Sequence, residues 1–104
     1  DVSEEELQDR RILGSEGFIT VYAVVDKKTG MVLSDPVVRA IGVAEDEKTI
    51  SEIVPAVTEA LKDAAAPGNV SPKKLEAAIR RVVGRWAGRH LRRRPMIVPV
   101  VVEQ

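Results

Sequence analysis

The sequence predicts a small α/β domain, an α+β two-layer sandwich of order ββααβ. Three observations carry that prediction. The stretch "GFITVYAVVD" (Gly17–Asp26) is dense in β-branched and aromatic residues and leads through turn chemistry into a second apolar run. Two later stretches carry apolar residues at helical spacing. The chain then closes on "MIVPVVVE", apolar up to its last residue. With 104 residues and a hydrophobic fraction of 44%, there is enough chain for one domain with one core.

The first strand is apolar at both parities, with Phe18, Tyr22 and Val24 on one side and Ile19, Val21, Ala23 and Val25 on the other. Such a run argues for a strand covered on both sides, or central in its sheet. In "DKKTG" (Asp26–Gly30) the Asp26 carboxylate can accept from the backbone two residues on, and Gly30 can take the positive φ that a tight turn needs. "MVLSDPVVRAIGV" then reads as the returning strand of a hairpin over residues 18–42. Pro36 removes one ladder donor, which puts that strand at an edge or gives it a bulge.

"AEDEKT" reads as a solvated loop. A helix is predicted from Thr49, where Thr49 and Glu52 have the spacing of a capping box. Ile50, Ile53, Val54, Val57, Leu61 and Ala64 form its stripe, and Pro55 falls early, where few helical bonds are lost. "APGNV" stops it. The second helix has Ser71 as N-cap, Pro72 at its first position and Val70 placed to staple against Leu75. Leu75, Ala78, Ile79, Val82, Val83, Trp86 and Leu91 line its apolar face, and Pro95 ends it. Pro99 requires the final strand to lie at an edge or to turn that nitrogen away from its neighbour. A helical hairpin after the second strand brings the last strand parallel to the first, giving a three-stranded mixed sheet of order 2-1-3 with both helices on one face. The uncovered apolar face is then an oligomer or interdomain surface. Ile19, Val21, Ala23 and Val25 are taken as that candidate assembly face.

Net charge is zero but unevenly spread. Residues 1–70 hold 14 acidic and 7 basic side chains, whereas residues 71–95 hold nine basic side chains against Glu76 alone. Such asymmetry points to an anionic partner. The candidate RNA or partner contacts are Arg80, Arg81, Arg85, Arg89, Arg92, Arg93 and Arg94. Three readings of them stand side by side. They could form a solvated helix face, favourable near the negative helix C-terminus. They could attach to RNA phosphates, which needs no base contact. They could pair with carboxylates of a neighbouring domain or subunit.

Catalytic motifs are missing. His90 is the single histidine and there is no cysteine, so no HExxH, Ser-His-Asp set, disulfide or thiolate metal site can be assembled within the chain. The lack of cysteine leans towards a reducing compartment. His90 reads as an ordinary helix-face residue. "GMVLSD" and "GNVSPKK" lack P-loop spacing, and "GRWAG" spaces two glycines so that a helix can lie close to the sheet. Trp86 sits on the apolar stripe, and three aromatics in all argue against an RNA-binding base platform. The acidic runs Glu4–Glu6 and Glu45–Glu47 read as solvated loop charge. No apolar run reaches the ~20 residues of a membrane span, and no signal pattern opens the chain. The chain begins at Asp1 with the acidic "DVSEEELQD", which reads as a cut from a longer protein, with residues 1–9 as linker and 10–104 as the domain.

Three strings carry a family resemblance: an "RR-x-L-x-x-[ED]-G" opening at Arg10–Gly17, a hydrophobic strand ending "VD-x-x-TG" at Val24–Gly30, and a closing "[KR]RRPMI-x-PV" at Arg92–Val100. Over roughly residues 7–103 the chain resembles the C-terminal domain of ribonuclease J, especially the actinobacterial type. It departs after Pro36, where the family carries an Arg-Gly-aromatic segment and this chain reads "VVRAIGVAED". The resemblance implies a parent enzyme with upstream metallo-β-lactamase and β-CASP domains. That parent would be a zinc-dependent ribonuclease acting 5′→3′ and internally, in RNA processing and decay in the bacterial cytoplasm. The zinc ligands would lie upstream, leaving no cofactor and no nuclease activity in this chain. The domain is expected to support assembly, as a homo-oligomer or by interdomain contact, with RNA contact as a further role and no membrane partner. The rival reading is a stand-alone RNA-binding module built on the arginine helix.

Overall fold

In a computed structural model describing residues 17–43, 47–65, 68–92 and 94–104, the first predicted strand runs Phe18–Val25 (β1). The expected linker, most of the Arg10–Gly17 string, the acidic run Glu4–Glu6 and Arg93 lie outside the described residues. β1 ends in the turn that its sequence specifies. The Asp26 carboxylate accepts from the backbone N–H of Lys28 at 2.8 Å and of Thr29 at 3.0 Å, and Gly30 turns the chain at φ 76°. Those two backbone donors, with Lys28 and Thr29 close by, hold the Asp26 carboxyl below its ordinary value.

The returning strand is shorter than predicted. It touches β1 once, where Val32 bridges Val25, and rejoins it only over Val37–Ile41 (β2). From Tyr22 to Val25 is three steps on β1, yet from Val37 back to Val32 is five on the return. Two residues are therefore extruded, in the stretch holding Pro36, which has no N–H to give the ladder.

The single first helix is in fact two, Glu47–Ser51 (α1) and Ile53–Ala64 (α2). Pro55 explains the break. It cannot donate to the carbonyl of Ser51, and its ring crowds that carbonyl. The helix begins before Thr49, so Thr49 and Glu52 form no capping box: Thr49 lies within α1, and Glu52 precedes α2 without a side-chain cap. Helix also begins at Glu47, inside the expected loop; residues 44–46 lie outside the described residues.

The third helix, Pro72–His90 (α3), starts as predicted, with the Ser71 hydroxyl accepting from Lys74 N–H at 3.4 Å and Pro72 in the first turn. The expected need for glycine in helix–sheet approach is not met at Gly84, where a Cβ would stand 3.5 Å from Ile97 Cδ1, an ordinary contact. A Cβ at Gly88 would meet open space, so the pair does not work as a unit. The helix stops at Leu91, whose N–H reaches Ala87 O at 2.9 Å, and Arg92 follows with φ 52°. That left-handed position after a helix is one glycine usually fills.

The last strand, Met96–Glu103 (β3), pairs parallel with β1 from Phe18↔Met96 to Val25↔Glu103, giving the order β2-β1-β3. The odd-numbered residues of β1, with Ile53, Val57, Leu61, Leu75, Ile79, Val83 and Trp86 from the helices, make one apolar core. Among the described residues it contains no buried polar or charged side chain.

Three consequences are measurable by chemical denaturation. Gly17 has φ 77°, and a Cβ there would be driven into the Ile41 carbonyl, so Gly17→Ala should cost about 2 kcal/mol or more. Gly88→Ala fills empty space on a helix and should gain up to about 1 kcal/mol. The Asp26 carboxylate is held in its charged form, so its contribution is present at neutral pH and fades as pH falls through its lowered folded-state value. The stability gap between the native chain and Asp26→Asn should therefore narrow on acidification.

Candidate assembly face and arginine cluster

The two faces of the sheet have opposite fates. Ile19, Val21, Ala23 and Val25 are at most 1% exposed, packed under α2 and α3. The expected assembly face is thus the core face, and those four residues are unavailable to a partner. The reason is parity. Helices cover the odd-numbered side of β1, so the side left open carries Phe18, Thr20, Tyr22 and Val24.

Register extends this open face over all three strands. Thr20 lies opposite Arg39, with Phe18 opposite Ile41 and Tyr22 opposite Val37. On the other side Phe18, Thr20, Tyr22 and Val24 align with Met96, Val98, Val100 and Val102. Of these eleven positions only Thr20 and Arg39 are polar. Ile41 is 59% exposed, Val37 49% and Tyr22 45%, well beyond ordinary scatter for one contiguous patch. Strand spacing and rise give the face a footprint of about 26 by 10 Å. Leu33, one residue past core-packed Val32 and bonded to Val24 O at 2.9 Å, widens it. One signal in the sequence marked this side. Thr20 is the polar residue of β1, and a strand turns its polar parity to solvent.

The arginines do not form one surface. Arg80, Arg81, Arg85, Arg89, Arg92 and Arg94 are all exposed. At 100° per residue, however, Arg80 and Arg89 fall on opposite sides of α3. Arg81, Arg85 and Arg89 repeat every fourth residue along one flank. There Arg81 and Arg85 share the groove between α2 and α3 with Glu59 and Asp63. Those acids offset much of the local positive field. Arg92 and Arg94 lie beyond the helix end, where the dipole favours cations.

His90 is exposed, as expected, but its ring is stacked on Trp86, with centroids 4.9 Å apart at 17°, and its Nδ1 lies 3.0 Å from Trp86 O. The carbonyl can only accept, so the proton sits on Nδ1. The imidazole thereby covers the rim of a Trp that is 8% exposed and belongs to the core. Among the described residues no group of three or more His, Asp or Glu converges as a metal site, and no helix is long and apolar enough to cross a membrane.

Described residues of the strings that carried the family resemblance lie at the two ends of the β1–β3 pair. Met96 N–H donates to Gly17 O at 3.0 Å at one end. At the other, Lys27 N–H reaches Gln104 O at 2.9 Å beside the Asp26–Gly30 turn. Fold and face together define a class, two-layer α/β domains that close a three-stranded mixed sheet with their last strand and leave its second face uncovered among the described residues. The chain belongs to the ribonuclease J C-terminal domain family, whose profile matches residues 5–104. It is 39% identical over 103 residues to ribonuclease J of Mycobacterium tuberculosis, covering 99% of this chain and 18% of that relative. It is 37% identical to ribonuclease J of Mycolicibacterium smegmatis, with the same coverage. Against ribonuclease J2 of Bacillus subtilis it is 28% identical over 106 residues, covering 99% of this chain and 19% of that protein. The chain thus spans under a fifth of these relatives' length.

Arg92 supplies a direct test of the local backbone. Arg92→Gly relieves a left-handed residue and should raise stability by about 1 kcal/mol, read as a higher denaturation midpoint with unchanged slope.

Proposed function

We propose that this chain is the non-catalytic C-terminal accessory domain of a ribonuclease J and that it holds its protein in an assembly, as a homo-oligomer or by contact with a neighbouring domain. The observation that carries this reading is the bare sheet face, with nine apolar positions among eleven and no charge except Arg39. A surface of that composition in water is stabilised by being covered. The relatives' name, ribonuclease J, supports a parent that acts in RNA processing and decay. By the family resemblance the parent is a zinc-dependent enzyme of the bacterial cytoplasm, acting 5′→3′ and internally, with zinc held in an upstream metallo-β-lactamase domain next to a β-CASP domain. This chain's residues do not suit zinc, having one histidine and no cysteine. Its part is to bring catalytic units together.

RNA-phosphate contact is a secondary contribution. The exposed arginines favour it, but their spread around α3 and the acids beside Arg81 and Arg85 make a dedicated RNA-binding module the weaker reading. A dedicated module would shift polyuridine at micromolar concentration with a steep salt dependence. Binding here should be weaker than that.

Light scattering over a dilution series tests assembly. The chain, alone or mixed with the upstream part of its protein, should form a complex that Val98→Asp weakens at least tenfold, while costing folding stability only about 1 kcal/mol. A chain that stays monomeric at high concentration and does not bind the upstream part overturns the reading.

A further inference from the structure

Hydrogen-bond parity shows which edge of the sheet is open to another strand. Gly17 O and Val25 O accept from Met96 and Gln104, so odd-numbered residues of β1 face β3. Val24 O accepts from Leu33, so even-numbered residues face the returning chain. In β2 the partners of those even residues are Val37, Arg39 and Ile41, which turn their backbone groups inward. The N–H and C=O of Val38 and Ala40 therefore point outward, and no partner for them is found among the described residues. On β3 the same parity turns Ile97, Pro99 and Val101 outward, and Pro99 has no N–H to offer. Of the two edges, only that of β2 presents an unbroken donor–acceptor pattern.

That edge opens into a groove. It runs between β2 and the α1–α2 segment, with Ile50 and Val54 as its floor and exposed Glu47 and Ser51 at its rim. A strand laid along β2 would put alternate side chains into this groove, against apolar surface. Its other side chains would continue the open face beside Val37, Arg39 and Ile41.

We propose that the β2 edge binds an extended peptide whose open-face residue beside Arg39 is acidic and whose groove-side neighbours are apolar. This is strand addition, in which backbone bonds supply affinity and the alternate side chains supply selectivity. Charge decides the occupant. Arg39 is the one charge on the strand, and a like charge directly opposite destabilises a strand pair, whereas an opposite charge stabilises it. A second copy fits poorly for the same reason. Two-fold pairing of Val38 with the other Ala40 sets Arg39 against Arg39. Pairing Val38 with Val38 brings Pro36, which has no donor, opposite Ala40. Pairing Ala40 with Ala40 needs Gly42, at φ 73°, to act as strand. The inference concerns the sheet's edge and stands apart from the proposed use of its face.

The test is amide exchange by NMR on the whole chain. The probes are two blocked peptides of alternating valine and threonine, one with glutamate at its centre and one with lysine. The glutamate peptide at millimolar concentration should slow exchange at Val38 and Ala40 at least tenfold and leave the outer edge of β3 unchanged. Ala40→Pro removes an outward donor without touching the β1 ladder, and should abolish the protection in a folded chain. Arg39→Glu should reverse the preference towards the lysine peptide. Unchanged exchange at Val38 and Ala40 with either peptide overturns the proposal. So does protection that rises with protein concentration and not with peptide, since a second copy then fills the edge.

Discussion

The parallel pairing of β1 with β3 is the constraint on which the rest depends. β1 is apolar on both sides and must be bordered by strands on both edges, yet the hairpin supplies only one of them, and that one is interrupted at Pro36. The eight-residue register from Phe18↔Met96 to Val25↔Glu103 supplies the other. It joins the first strand of the domain to its last, so the two helices between them are held against the sheet by chain closure as well as by their own stripes. Of the family strings, Gly17 and Met96 meet at one end of this pair and the Asp26–Gly30 turn lies beside Gln104 at the other.

From this pairing follows the split between a dry face and a bare one. Both faces of β1 would serve as core by composition. The helices can cover only one, and they take the side bearing small, fully packed Ala23 between Val21 and Val25. The other side keeps the bulky and polar members, Phe18, Tyr22 and Thr20, and gains Arg39 through the β2 register. An all-apolar core of this kind fixes little by hydrogen-bond direction, so packing and register have to specify the fold.

Much of this was legible from the sequence. The Asp26–Gly30 turn, the Ser71–Pro72 helix start, the helical stripe of α3 and the strand order all rest on short-range chemistry or chain connectivity, and each was readable. What was not readable involved competition between equals. Two apolar parities on β1 competed for the core; the odd-numbered side, expected to serve assembly, proves to be the core, and the polar signal at Thr20 that marks the other side was one residue deep. The break between α1 and α2 depended on where helix began. With the start placed at Thr49, Pro55 looked harmless; with the true start at Glu47, its missing donor falls to Ser51 within a formed helix. The arginines looked like one cluster because sequence adjacency compresses a rod onto a line. Wrapped at helical pitch, Arg80 and Arg89 part company.

Pro99 has a consequence beyond its own strand. A sheet with two receptive borders can be a link in an open-ended series, each unit templating the next, which is the geometry of fibrils. Here the outer border of β3 lacks a donor at Pro99, in mid-strand, which disfavours templating from that side and so works against open-ended growth.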